Sequence, residues 1–188
     1  MSPAAPRILI LGFGAFGRMV ARHLAPHLPV AVCDPDPAAQ AQARAAGLAL
    51  AETGQAGAFD IVVLAVPVPA LGDCLHRIAP HLRPGQVVMD VCSVKQGPAG
   101  LMVQILPAGV EILASHPMFG PHSMPGSLAG GRIVLCPVRG GRWRRIAAFL
   151  RGGLGLRVIL ASAEEHDRHA ALTQGLTHLL AHAMAAFQ

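Results

Sequence analysis

Arg7-Ile8-Leu9-Ile10-Leu11-Gly12-Phe13-Gly14-Ala15-Phe16-Gly17 is the stretch that decides the fold. Its first half is a short, unbroken apolar run, the pattern of a central parallel strand covered on both faces. Its second half is G-x-G-x-x-G. Behind it Phe16, Met19, Val20 and Leu24 recur at helical spacing until Pro26 stops them. A second apolar run, Val30 to Cys33, then ends in Asp34. Strand, glycine loop, helix, strand and acid is the order of a dinucleotide-binding unit. Gly12 permits the tight turn, Gly14 lets backbone N–H groups approach a pyrophosphate, and Gly17 lets the helix pack on the strand. The whole loop, Gly12, Phe13, Gly14, Ala15, Phe16 and Gly17, is expected to hold the cofactor.

Asp34 refines the choice of cofactor. A carboxylate at the end of the second strand accepts hydrogen bonds from both ribose hydroxyls and repels a 2′-phosphate. Pro35-Asp36-Pro37 supplies no arginine for that phosphate, so NAD is expected rather than NADP. Asp36 ranks second for the ribose, with a helix N-cap as its other reading.

The chain has 188 residues, 53% of them hydrophobic and none of them Tyr. This suits one domain with an aliphatic core, or one domain and part of another. The longest apolar run, Ile61 to Gly72, is far short of the roughly 20 residues of a membrane span. The first residues lack the early basic group of a signal peptide. Cys33, Cys74, Cys92 and Cys136 are widely spaced, with no C-x-x-C, and read as buried thiols in a reducing compartment. A cytoplasmic protein is expected. The formal charge is +5. Its densest cluster, Arg139, Arg142, Arg144 and Arg145, surrounds Trp143, Ile146, Ala147 and Leu150, the buried face of a helix. The arginines read as that helix's solvated side. The one aromatic among them, Trp143, belongs to the buried face, so no nucleic-acid partner is expected.

Further along, Ala38 to Ala46 reads as a helix and Leu48 to Ala51 as a short strand. Phe59 to Pro67 is a buried strand whose end, Val66-Pro67, should line the cofactor cleft. A helix from Pro69 to Ile78 and a strand from Gln86 to Val91 follow. Then comes Asp90-Val-Cys-Ser93-Val-Lys95, whose Ser93 and Lys95 should point into the same cleft. The alternative for Ser93 is to cap a helix starting near Gln96. The strand Val110 to Ala114 leads to Ser115-His116-Pro117-Met118-Phe119-Gly120-Pro121. His116 is expected on a loop at the strand's carboxyl end, where open α/β sheets bind ligands. The strands Arg132 to Pro137 and Leu156 to Leu160 flank the Trp143 helix.

Ser162-Ala-Glu-Glu165 is a capping box opening a final helix. Leu172, Leu176, Leu179, Ala183 and Phe187 form an apolar stripe on it, opposite Asp167, Gln174, His178 and His182. His178 and His182 lack the Glu of H-E-x-x-H and an obvious third ligand, so no metal is expected. The pattern predicts an α/β, Rossmann-type, doubly wound and mostly parallel sheet. A nucleotide-binding domain would cover residues 1–161, and 162–188 would begin an incomplete helical domain.

Four segments resemble the prephenate/arogenate dehydrogenase family of tyrosine biosynthesis. They are Gly12 to Gly17, Asp90 to Lys95, Ser115 to Pro121, and Glu165-His166-Asp167-Arg168 leading to Gln174-Gly-Leu-Thr177-His178. His122 departs from the acid that family members often carry after Phe-Gly-Pro. The resemblance implies an oxidative decarboxylation: a cyclohexadienol loses a C4 hydride to nicotinamide and its ring carboxylate as CO2. It implies His116 as general base, with Ser93 bonding the same hydroxyl or holding His116 in its tautomer. It further implies that Lys95, Gln174, Thr177 and His178 bind substrate, prephenate or arogenate, and that a C-terminal helical domain forms a homodimer. Two other readings stand beside it: another small Rossmann oxidoreductase, and a non-catalytic NAD-binding module that needs a partner domain.

Overall fold

The computed structural model describes residues 5–124 and 126–172. Eight strands form one sheet: β1 (Ile8–Leu11), β2 (Val30–Cys33), β3 (Ala49–Leu50), β4 (Ile61–Leu64), β5 (Val87–Asp90), β6 (Glu111–Pro117), β7 (Arg132–Arg139) and β8 (Arg157–Leu160). Their spatial order is β3-β2-β1-β4-β5-β6-β7-β8. The first six run parallel, β7 pairs antiparallel with β6, and β8 runs parallel to β7. The helices are α1 (Ala15–Leu24), α2 (Pro37–Ala45), α3 (Val68–Ile78), α4 (Gln96–Ile105), α5 (Trp143–Gly152) and α6 (Ala163–Ala170). Short 3-10 helices cover Thr53–Ala58 and Ala79–His81.

The period-two geometry of a strand splits the central apolar runs between two faces. Leu9, Leu11, Val62 and Leu64 meet α3 and α4 through Leu71, Leu75, Ile78 and Met102. Ile8, Ile10, Val32 and Val63 meet α1 and α2 through Ala21, Leu24, Ala39 and Ala43. Ala147 and Leu150 of α5 cover Leu113, Ile133 and Leu135, as the spacing around Trp143 anticipates. The sheet is therefore doubly wound, and chain direction across it reverses at β1, between β2 and β4. In such sheets the crevice at the carboxyl ends beside the reversal is the ligand site.

Two expectations need correction here. The four arginines around Trp143 are not one solvated face. Arg139 donates to the carbonyls of Leu106, Pro107 and Val110, closing the end of α4, and Arg142 donates to the Gly85 carbonyl. Arg144 stacks over the Trp143 ring at 4.7 Å. Second, Lys95 does not point into the cleft. It is fully buried, as is Asp90, and its ammonium bonds the Asp90 carboxylate and the Ser115 carbonyl. Asp90 also accepts from the N–H groups of Cys92 (2.9 Å) and Ser115 (3.2 Å). The Ser115 hydroxyl donates to the Asp90 carbonyl at 2.6 Å. These bonds tie the carboxyl end of β5 to β6 one residue before His116.

Removing one partner of such a pair strands a buried charge. Lys95→Met should therefore lower stability by roughly 3–5 kcal/mol, read as a lower urea midpoint; an unchanged midpoint would contradict the buried tie.

Candidate active site

The glycine loop fits the glycines' proposed roles. Gly12 has φ of +93°, and a Cβ there would strike the Ala65 carbonyl. A Cβ on Gly17 would run into the Gly12 carbonyl, so only glycine lets α1 sit this close. Gly14, by contrast, faces open space, with nothing within 4 Å of a would-be Cβ. It is the N-cap of α1, and no side chain caps that helix. The first-turn N–H groups and the positive end of the helix dipole are left for an anion. The residues present thus fit a dinucleotide pyrophosphate.

Phe13 and Phe16 serve this loop through their backbone. The Phe13 side chain is buried in the core, and Phe16 faces an apolar groove between α1 and α5. Ala15 is exposed in the first turn of α1. The Asp34 carboxylate accepts from the N–H groups of Phe13 (2.6 Å) and Asp36 (2.9 Å), which fixes it beside the loop with a lone pair left on each oxygen. Asp36 instead caps α2 through the Ala38 N–H at 2.9 Å. The geometry thus separates the two acids: Asp34 faces the loop and Asp36 serves the helix. Val66 and Pro67 follow β4 at the same sheet edge, with Pro67 exposed.

His116 lies in β6, not on a loop beyond it. Antiparallel pairing with β7 extends the strand through His116, opposite Val134, to Pro117, opposite Ile133. Proline suits a strand end, where a missing donor does least harm. The imidazole is therefore held by a sheet rather than by turn residues. It is 6% exposed, and its Nδ1 lies 2.8 Å from Nε2 of His166. Every fully buried side-chain nitrogen or oxygen among the described residues has a partner. Nε2 of His116 makes no hydrogen bond among them, so it is the ring edge that reaches solvent. Burial, then the neighbouring His166 and the Lys95 charge, push the His116 pKa down from 6.5 to about 4. A neutral imidazole with one bare nitrogen is a hydrogen-bond acceptor and a base.

Ser93 sits in an exposed turn between β5 and α4. It neither caps α4 nor orients His116. Asp167 takes the first place, accepting from the N–H groups of Lys95 (2.7 Å) and Gln96 (2.9 Å). His166 takes the second. Both come from α6, which packs on α4 and β7 behind the predicted Ser162/Glu165 capping box. Asp167 reads from sequence only as part of a polar stripe, and no local signal places His166 against a strand fifty residues earlier. The candidates Gln174, Thr177 and His178, with His182, lie outside the described residues.

Burial also raises the Cys74 and Cys136 thiols to about 11 and Cys92 to about 12, so none is poised as a thiolate. Among the described residues no three His, Cys, Asp or Glu side chains group as metal ligands, and no helix is long and apolar enough to cross a membrane.

The model of the prephenate dehydrogenase nucleotide-binding domain matches residues 16–160. The chain belongs to the prephenate dehydrogenase family. It is 35% identical over 128 residues to arogenate dehydrogenase 2 of Arabidopsis thaliana, covering 64% of this chain and 36% of that one. It is 36% identical over 121 residues to the 4-amino-4-deoxyprephenate dehydrogenase of Streptomyces pristinaespiralis, covering 64% and 40%. The chain thus spans well under half the length of these curated relatives. Prephenate dehydrogenase of Aquifex aeolicus, solved with hydroxyphenyl propionate and NAD+, superposes with a TM-score of 0.84 at 22% identity, covering all of this chain and 70% of that one. A 3-hydroxyisobutyrate dehydrogenase of Mycobacterium tuberculosis reaches 0.74 at 19% identity, covering 92% and 60%. At these identities the superpositions speak for the fold alone.

The lowered His116 pKa has a consequence for stability. Unfolded, this histidine takes a proton near pH 6.5; folded, only near about pH 4. Between those values the unfolded chain binds more protons, so stability contributed by His116 is complete above the window and lost as pH falls through it. The wild-type urea midpoint should fall across that window more steeply than that of His116→Gln. Equal slopes would contradict the burial.

Proposed function

We propose that the chain carries the NAD-dependent oxidative decarboxylation of prephenate or arogenate. The observation that carries this reading is the bare Nε2 of a buried, neutral His116 at the sheet edge that also presents the Gly12–Gly17 loop and Asp34. Family membership supplies the oxidoreductase class and the nucleotide-binding domain.

NAD, when bound, supplies the ring that takes the C4 hydride. The N–H groups of the Gly14 turn hold the pyrophosphate, and Asp34 holds the ribose hydroxyls and disfavours the 2′-phosphate of NADP. His116 accepts the proton of the substrate's 4-hydroxyl through Nε2 as the C4 oxygen gains carbonyl character. The C1–carboxylate bond then breaks, its electron pair enters the ring, CO2 departs and the ring becomes aromatic. The proton on His116 returns to the phenolic oxygen. Prephenate gives 4-hydroxyphenylpyruvate and arogenate gives tyrosine. Ser93, with its hydroxyl uncommitted among the described residues, contributes a hydrogen bond to the same substrate oxygen. Lys95 leaves the list of substrate ligands, because its ammonium is spent inside the sheet. In this reading residues 1–161 form the nucleotide-binding domain. Gln174, Thr177 and His178 are assigned to substrate binding, and the enzyme is assigned as a homodimer in the cytoplasm.

The test is NAD and NADP binding by titration, then NADH formation with prephenate, arogenate and 4-amino-4-deoxyprephenate in turn. His116→Asn should leave NAD affinity unchanged and lower turnover by roughly 10²–10⁴-fold. Asp34→Ser should narrow the preference for NAD over NADP. No NAD binding, or turnover that His116→Asn leaves unchanged, overturns the reading.

A further inference from the structure

Three side chains form a chain of hydrogen bonds that ends at the base. His166 is 5% exposed, and its Nδ1 lies 2.8 Å from Asp167 Oδ1 while its Nε2 meets His116 Nδ1. The two rings meet edge to face, with centroids 5.0 Å apart. Asp167 is the end of the chain that cannot turn round. Burial raises the cost of its charge, but the N–H groups of Gln96 and Lys95 and the His166 ring outweigh that and hold its carboxyl below the ordinary value. An ionised carboxylate has no proton to give. His166 must therefore donate from Nδ1, which leaves its Nε2, in the neutral ring, as an acceptor. A 2.8 Å contact to that acceptor then requires the proton of His116 to sit on Nδ1. The Nε2 of His116 is bare as a result, and it is the edge that reaches solvent.

We infer that His166 and Asp167 are positioning residues that fix His116 in the Nδ1–H tautomer, so that Nε2 faces the substrate as a base. The inference rests on the reading of His116 as the base, and it assigns work to two residues of the Glu165–Arg168 motif. It also gives α6 a double function. Asp167 closes the N-terminus of α4 through two backbone donors, and the same carboxylate orients the relay. Docking of α6 and the proton position on His116 are thus one event. The logic is that of an orienting carboxylate behind a catalytic imidazole, here with a second imidazole between them.

The experiment uses nitrogen-15-labelled histidine in the full chain, with the His116 resonances assigned through His116→Asn. The wild-type protein should show Nδ1 protonated and Nε2 bare. Finding the opposite tautomer overturns the inference without any variant. His166→Leu removes the acceptor and should release the tautomer; His166→Gln, whose side-chain oxygen can accept from His116 Nδ1–H, should retain it. Turnover should follow: a fall on the order of 10²–10⁴-fold in His166→Leu, with KM for NAD unchanged, and partial recovery in His166→Gln. A tautomer unmoved by His166→Leu, or equal losses in both variants, overturns the positioning role. If the tautomer responds as stated but His116→Asn does not lower turnover, the positioning stands and the assignment of His116 as base fails.

Discussion

The single lysine of the chain is fully buried, and the site is assembled around its salt bridge with Asp90. The two charges sit where β5 ends; the carboxylate accepts from Cys92, Ser115 and Lys95, and the ammonium donates to Asp90 and the Ser115 carbonyl. A buried pair of this kind is a poor source of net stability, but breaking it strands a buried charge, so it holds the two strand ends together. It sets the height of β6 relative to β5, and hence the position of His116. The same residue acts twice: its backbone N–H is held by Asp167, so the loop between β5 and α4 is clamped from inside the sheet and from α6.

That double clamp explains why a site built from distant segments can be rigid. β1 and β2 bring the glycine loop and Asp34, β5 brings Ser93, β6 brings His116 and α6 brings His166 and Asp167. Each fully buried side-chain nitrogen and oxygen is matched among the described residues, while Nε2 of His116 and the N-terminus of α1 have no side-chain partner there and are groups a substrate and a cofactor would use. A compound with an anionic tail and a hydroxyl to deprotonate would complete both.

The fold was legible because its signals are local. Apolar runs, the Gly12–Gly17 loop and the Ser162/Glu165 box each depend on residues within one turn or one strand. The site was legible only in part. Asp34 ranked ahead of Asp36 for the ribose from sequence, and the Phe13 N–H on Asp34 and the Ala38 N–H on Asp36 give the two acids their separate places. His116 reads from sequence as a candidate base on a loop, because the proline and glycine after it mask a strand end that exists through pairing with β7. Lys95 looked like a substrate cation. A lone lysine among arginines is consistent with a compact charge chosen for an interior partner, but spacing alone does not reveal the Asp90 cavity. Asp167 reads from sequence as one member of a polar stripe because helical periodicity reports what an element presents, not what docks there.

In the proposed mechanism the bare Nε2 of His116 receives the proton of the substrate hydroxyl beside the nicotinamide. The most direct test is a crystal structure with NAD and the aromatic product, 4-hydroxyphenylpyruvate or tyrosine. The phenolic oxygen should lie about 2.6–3.2 Å from Nε2 of His116, with the pyrophosphate on the Gly14 turn. A product whose ring oxygen lies out of reach of that nitrogen, or a cofactor seated away from the glycine loop, would contradict it.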